Sequence, residues 1–98
     1  MDKGEVIQIL QANRQALAQF HVRSLSIFGS VARGEAGSDS DVDILVEFEP
    51  GARVGLFHCA RLQRFLRETL GREVDLATPK ALHKALPKDI LKEAVRAF

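Results

Sequence analysis

Apolar residues recur at helical spacing through the first twenty positions. Val6, Leu10, Leu17 and Phe20 fall on one side and Ile7 widens the stripe, while Gln8, Gln11, Asn13, Arg14 and Gln15 cover much of the other. This predicts an amphipathic helix from Lys3 to Phe20, followed by a short connection, His21-Val22-Arg23. The period then changes. Leu25 to Phe28 reads as a strand, and its serine alternation predicts one more exposed face. A short helix is expected after Gly29, with Ser30 near its start, and a loop of Gly, Ser and acidic residues runs from Gly34 to Ser40. Asp41 to Phe48 is a second strand, in which Val42, Ile44, Val46 and Phe48 supply the buried face. Leu56 to Leu70 is a long helix with Leu56, Ala60, Leu62, Phe65, Leu66 and Leu70 on its buried side, stopped by Gly71. Glu73 to Ala77 is a third strand. Thr78-Pro79 reads as a helix start. A last helix is expected from Pro87, with Ile90, Leu91, Ala94, Val95 and Phe98 as its apolar stripe.

The alternation that builds the strands also places the chemistry. Asp41 and Asp43 lie two apart, so they share the face opposite Val42 and Ile44. By the same parity Asp75, between Val74 and Leu76, turns to that face of the third strand. Neighbouring carboxylates repel each other, and burial sharpens the repulsion. A divalent cation between them removes the conflict. Oxygen-only ligation suits Mg²⁺, which takes one or two carboxylates and completes its shell with water and substrate phosphates. Upstream, the Gly29-Ser30 turn offers backbone N–H groups and a hydroxyl to those phosphates.

Gly29-Ser30, about ten further residues, and then Asp41-x-Asp43 resembles the signature of the polymerase-beta-like nucleotidyltransferases. The fuller run, with Val31-Ala32-Arg33-Gly34 and Ser40-Asp41-Val42-Asp43-Ile44-Leu45-Val46, is similar to their smallest members, the minimal nucleotidyltransferases (MNT) paired with HEPN-domain toxins. The resemblance covers nearly the whole chain. It implies an α+β (mixed α/β) fold, a short mixed sheet with helices on one face and the active site on the other. It also implies a Mg²⁺-dependent enzyme that moves AMP from ATP to a hydroxyl, tyrosine being expected, on a HEPN RNase toxin, which it neutralises as an antitoxin. Asp41, Asp43 and Asp75 would then be the catalytic and metal-binding residues of a two-metal site. Gly29 and Ser30 would bind the triphosphate, and Arg33 could add a charge-assisted contact to it. Two other readings stand beside this one: an antitoxin that works by binding and occlusion alone, and a nucleotidyltransferase acting on a small molecule such as an antibiotic. Assembly with the toxin or with itself is compatible with either.

Composition narrows the setting. With 98 residues the chain fits one domain, residues 1–98. Apolar content of 46% and charged content of 28% are those of an ordinary globular protein. A net charge of +1 is not the footprint of a dedicated nucleic-acid binder, and Trp and Tyr are absent. The single Cys59 cannot form an internal disulfide, which suits a reducing cytoplasm. The N-terminal residues do not read as a signal peptide, and the apolar runs fall short of the ~20 residues that span a bilayer. Among the remaining polar residues, Asp39 reads as a turn former and Glu47 as a surface group. Arg61, Arg64, Arg67 and Arg72 read as a solvated face, with an acidic partner or RNA as the alternative and Arg64–Glu68 as an i,i+4 pair. His21, His58 and His83 lack zinc spacing, and Cys59 reads as a small core residue.

Overall fold

The computed structural model describes residues 2–35, 41–78 and 93–98. Helix α1 (Lys3–Ala12) and helix α2 (Arg14–Ala18) lead into strand β1 (Val22–Phe28) and the short helix α3 (Gly29–Arg33). Strand β2 (Val42–Phe48), helix α4 (Leu56–Leu70), strand β3 (Val74–Ala77) and strand β4 (Val95–Arg96) follow. The sheet order is β3-β2-β1-β4. The pair β1–β2 is antiparallel, β2–β3 is parallel across α4, and β4 runs antiparallel to β1. The expected α+β architecture with a short mixed sheet is therefore the one observed.

One cluster forms the core. Val6 and Leu10 from α1, Leu17 from α2, Leu25 and Ile27 from β1, Val42, Ile44 and Val46 from β2, and Leu62 and Leu66 from α4 are all essentially inaccessible. Each such leucine withdraws enough apolar surface to contribute about 2–3 kcal/mol. Among the described residues the opposite face of the sheet carries a second, smaller cluster, Phe28 and Leu45 with Ala77 and Ala94 packed against it.

The first helix is not continuous. Asn13 closes α1, where its side-chain amide donates to the Ile9 carbonyl at 2.8 Å, and α2 starts at the next residue. Asn competes for the backbone groups a helix needs, so the predicted Lys3–Phe20 helix is divided and ends at Ala18. Strand β1 starts earlier than expected, at Val22, which is buried and pairs with Phe48 before a bulge. His21, at φ 64°, makes the turn into it.

The chain end departs furthest from expectation. The stripe assigned to a last helix finishes instead as β4, with Ile27 opposite Val95 and Ser26 opposite Arg96. Two further ties hold it: Ala97 N–H donates to Leu25 O at 2.8 Å, and the Gln11 side chain donates to Ala97 O at 2.9 Å. The start of that helix at Pro87, the helix start at Pro79, His83, and the loop residues 36–40 including Asp39 lie outside the described residues. Among the described residues no helix is long and apolar enough to cross a membrane.

Candidate active site

Strand order brings the acidic residues together. Since β2 and β3 are parallel neighbours, Asp43 stands directly opposite Asp75 in register. Their side chains share the sheet face opposite buried Val42 and Val74. Asp41 precedes β2 by one residue and is exposed, as is Asp75, while Asp43 is half-buried. The neighbouring charges act on Asp43. Burial pushes the Asp43 carboxyl above the usual carboxylate range, and the negative charges of Asp75 and then Asp41 push it further, against a smaller opposing pull from Arg33.

The corner between β1 and α3 closes on the same carboxylate. Phe28 pairs with Asp43 across β1–β2, so Gly29 comes directly beside it. Gly29 has φ +72°, and a Cβ built on it would collide with Asp43 Oδ2. Only glycine combines that backbone angle with that closeness. Ser30 follows within α3, half-buried. Thus Gly29, Asp43 and Asp75 lie side by side along the sheet, with Ser30 next in the chain after Gly29 and Asp41 one residue before β2.

Arg33, at the end of α3, is held by two carboxylates. Its Nε donates to Glu35 and its Nη1 to Glu93, each at 3.0 Å. Both carboxylates stabilise the guanidinium charge and raise its pKa. Glu93 lies sixty residues away in sequence, and no local pattern announces it. Glu35 and Glu93 are thus part of the site's surroundings that the sequence reading did not find.

Among the described residues no group of three His, Cys, Asp or Glu side chains stands close enough to hold a metal ion by itself. The aspartates are gathered without being closed into a cage. That arrangement fits Mg²⁺, which needs few protein carboxylates and takes the rest of its shell from water and phosphate. The donor set is oxygen only, and the repulsion on Asp43 is the kind a divalent cation relieves.

The mixed sheet, with a glycine–serine turn beside the Asp-x-Asp strand, is the fold of a nucleotidyltransferase. The chain belongs to the nucleotidyltransferase domain family, which matches residues 6–97. It is 41% identical over 92 residues to the protein adenylyltransferase MntA of Thermococcus cleftensis, covering 93% of this chain and 91% of that one. Among solved structures, a minimal nucleotidyltransferase is 37% identical and superposes with a TM-score of 0.65, covering 97% of this chain and 95% of the other. The MNT antitoxin in complex with a tri-AMPylated Shewanella oneidensis HEPN toxin shares the fold, with a TM-score of 0.58, 17% identity, and coverage of 90% of this chain and 71% of that one.

Proposed function

We propose that this protein transfers AMP from ATP to a hydroxyl group of a partner protein, a HEPN-family RNase toxin, and thereby silences it. The observation that carries the proposal is the register of β2 and β3, which sets Asp43 opposite Asp75 beside the Gly29 corner. The likeness to a protein adenylyltransferase and to an antitoxin bound to an AMP-modified toxin supports AMP as the transferred group and a protein as acceptor. These 98 residues contain no tyrosine, so a tyrosyl acceptor lies outside them.

In this reading Gly29 lets the backbone approach the triphosphate, and the Ser30 hydroxyl contacts its terminal phosphates. Asp41 and Asp43 would hold Mg²⁺ that arrives with the nucleotide, and Asp75 would complete a second site with them. The cation, when bound, supplies positive charge to the triphosphate and to the departing pyrophosphate. Asp75, more exposed than Asp43, faces the solvent from which an acceptor enters and takes the acceptor's proton, directly or through water. The acceptor oxygen then bonds to the α-phosphorus, the bond to the bridging oxygen breaks, and pyrophosphate leaves. A bulky anionic group placed near the toxin's catalytic centre blocks it by size and charge.

The test is direct. Wild-type protein is incubated with Mg-ATP and a HEPN-family toxin from the same organism, and the latter is weighed by mass spectrometry. A gain of one or more AMP units is expected. Binding without any mass gain would leave occlusion as the mode of neutralisation and would overturn the transferase reading.

Arg33 provides a second measurement. If it reaches the triphosphate it must leave Glu35 and Glu93, both of which compete with phosphate for the same N–H groups. Glu93→Gln is then expected to lower the KM for ATP by about threefold, the scale of one exposed ion pair. Arg33→Ala is expected to raise it. A KM unaffected by either change would make Arg33 a tether of the C-terminal segment only.

A further inference from the structure

The first turns of α4 present a surface that the rest of the described molecule does not. The helix pattern assigns Leu56 to the buried side, yet Leu56 is 83% exposed and Phe57 beside it is 80% exposed. Leu56 borders a cavity of about 190 Å³ that Val46, Cys59, Ala60 and Leu76 also line. Cys59 is accordingly half-buried at the wall of a recess and is not part of the core. Single exposed apolar side chains are ordinary. Two adjacent large ones beside an apolar recess mark a contact surface.

Charge is concentrated at the same place. Residues 51–67 contain four arginines, Arg53, Arg61, Arg64 and Arg67, and no Asp or Glu. The whole chain carries fourteen basic and thirteen acidic residues, so the remainder holds ten against thirteen. Phe57, Arg61 and Arg64 follow one another at i, i+4 and i+7, which puts them on one face of α4. Arg53, Arg61 and Arg64 are exposed. Arg64 meets Glu68 at 3.1 Å on the open surface, an ion pair of small worth that exchanges readily.

We propose that the N-terminal half of α4 is a docking surface for a partner protein whose contact face is an apolar ridge flanked by carboxylates. An apolar centre with arginines at its rim is the anatomy of a protein interface, in which aromatic residues and Arg are enriched. A nucleic-acid surface would instead place its cations at the centre, along the phosphate track. The position matters for function. Val46 and Leu76 lie further along β2 and β3 than Asp43 and Asp75, and on the opposite face of the sheet. A partner anchored at Leu56 and Phe57 leaves the carboxylate face open, so anchoring and reaction occupy separate surfaces. The identity of the partner rests on the transferase reading above; the surface itself does not.

The experiment measures the affinity of a HEPN-family toxin from the same organism for four forms: wild type, Leu56→Glu/Phe57→Glu, Arg61→Glu/Arg64→Glu, and Asp41→Asn/Asp43→Asn. Thermal melting and ATP binding are followed in parallel. The apolar variant is expected to bind at least about tenfold more weakly, as a truncated interface anchor does. The arginine variant is expected to bind more weakly and to lose most of the salt dependence. The aspartate variant is expected to bind like wild type. Because all four altered α4 positions are exposed, melting is expected to change little; if the apolar variant does unfold, the arginine variant decides. Wild-type affinity in both α4 variants would overturn the docking surface and leave the transferase reading standing. Weakened binding in those variants, with no AMP transfer by wild type, would do the reverse. No binding by wild type would sink both. Displacement of the HEPN protein by a short RNA, or self-association of wild type that Leu56→Glu/Phe57→Glu abolishes, would assign the surface to RNA or to a second copy and would also overturn the proposal.

Discussion

Asp43→Asn is expected to abolish nucleotide transfer, by about a thousandfold or more, and at the same time to give a more heat-resistant protein. Both effects come from one geometry. Asp43 is half-buried, faces Asp75 across the strand pair, and feels the charge of Asp41. Each of these disfavours its ionised form. Its pKa is therefore higher in the folded chain than in the unfolded one. The sign follows: the penalty is absent in acid, below the unfolded value, and fully present above the folded value. Asparagine keeps the shape and removes the charge. At neutral pH the variant should melt only roughly 2–4 °C higher, about half a kcal/mol in a domain of this size, because solvent screens much of the repulsion at a partly exposed carboxylate. In acid the two proteins should melt together. Saturating Mg-ATP should close the gap from the other side, since bound ligand stabilises only the form that binds it. A variant that melts below wild type at neutral pH would mean that the acidic cluster is not under repulsive strain. Destabilisation relieved by the ligand is the usual signature of a site built for binding and not for stability.

The acidic face was readable because strand parity is a local property. Asp41-x-Asp43, and Asp75 between two apolar residues, needed only alternation and the decision that these were strands. Helix α4 was equally readable, and its observed bounds, Leu56–Leu70, are the expected ones, because Gly71 at φ +70° ends it in the left-handed conformation glycine supplies. What could not be read was decided by distant contacts. A two-residue strand has no period, so β4 exists only because β1 offers a free edge to Val95 and Arg96. The same residues carry a helical stripe, and nothing local breaks the tie. The start of α4 is less buried than its periodicity predicts, for a related reason. Periodicity tells which residues share a face but not how far the sheet beneath extends, and Leu56 borders a recess where packing was expected. Glu93 reaches Arg33 from the far end of the chain, and no local pattern announces that contact.

Gly29→Ala is the substitution that separates backbone geometry from carboxylate chemistry. Two costs are superimposed. At φ +72° an alanine sits in the left-handed region, which costs about 1 kcal/mol. Its Cβ would also collide with Asp43 Oδ2, with Asp43 Cγ at only 3.1 Å. Either the corner opens or the Asp43 carboxylate turns away from Asp75. The single variant is expected to lose about 2–4 kcal/mol of stability and to lose transfer activity by at least about a hundredfold, since a displaced carboxylate misplaces everything it holds. In an Asp43→Ala background the colliding oxygen and its carbon are gone, and Asp43 Cβ stands at 3.4 Å from the new methyl group, an ordinary contact. There Gly29→Ala should cost only the backbone term. The difference between the two costs, about 1–3 kcal/mol from a double-mutant cycle in urea, measures the contact between the glycine corner and the carboxylate. A cycle that closes at zero would mean that Gly29 is required for its backbone angle alone, and the corner would then be a turn that happens to pass near the acids. A large coupling would mean that the glycine is there so the carboxylate can be, which ties the phosphate-facing turn and the cation-facing strand into one unit.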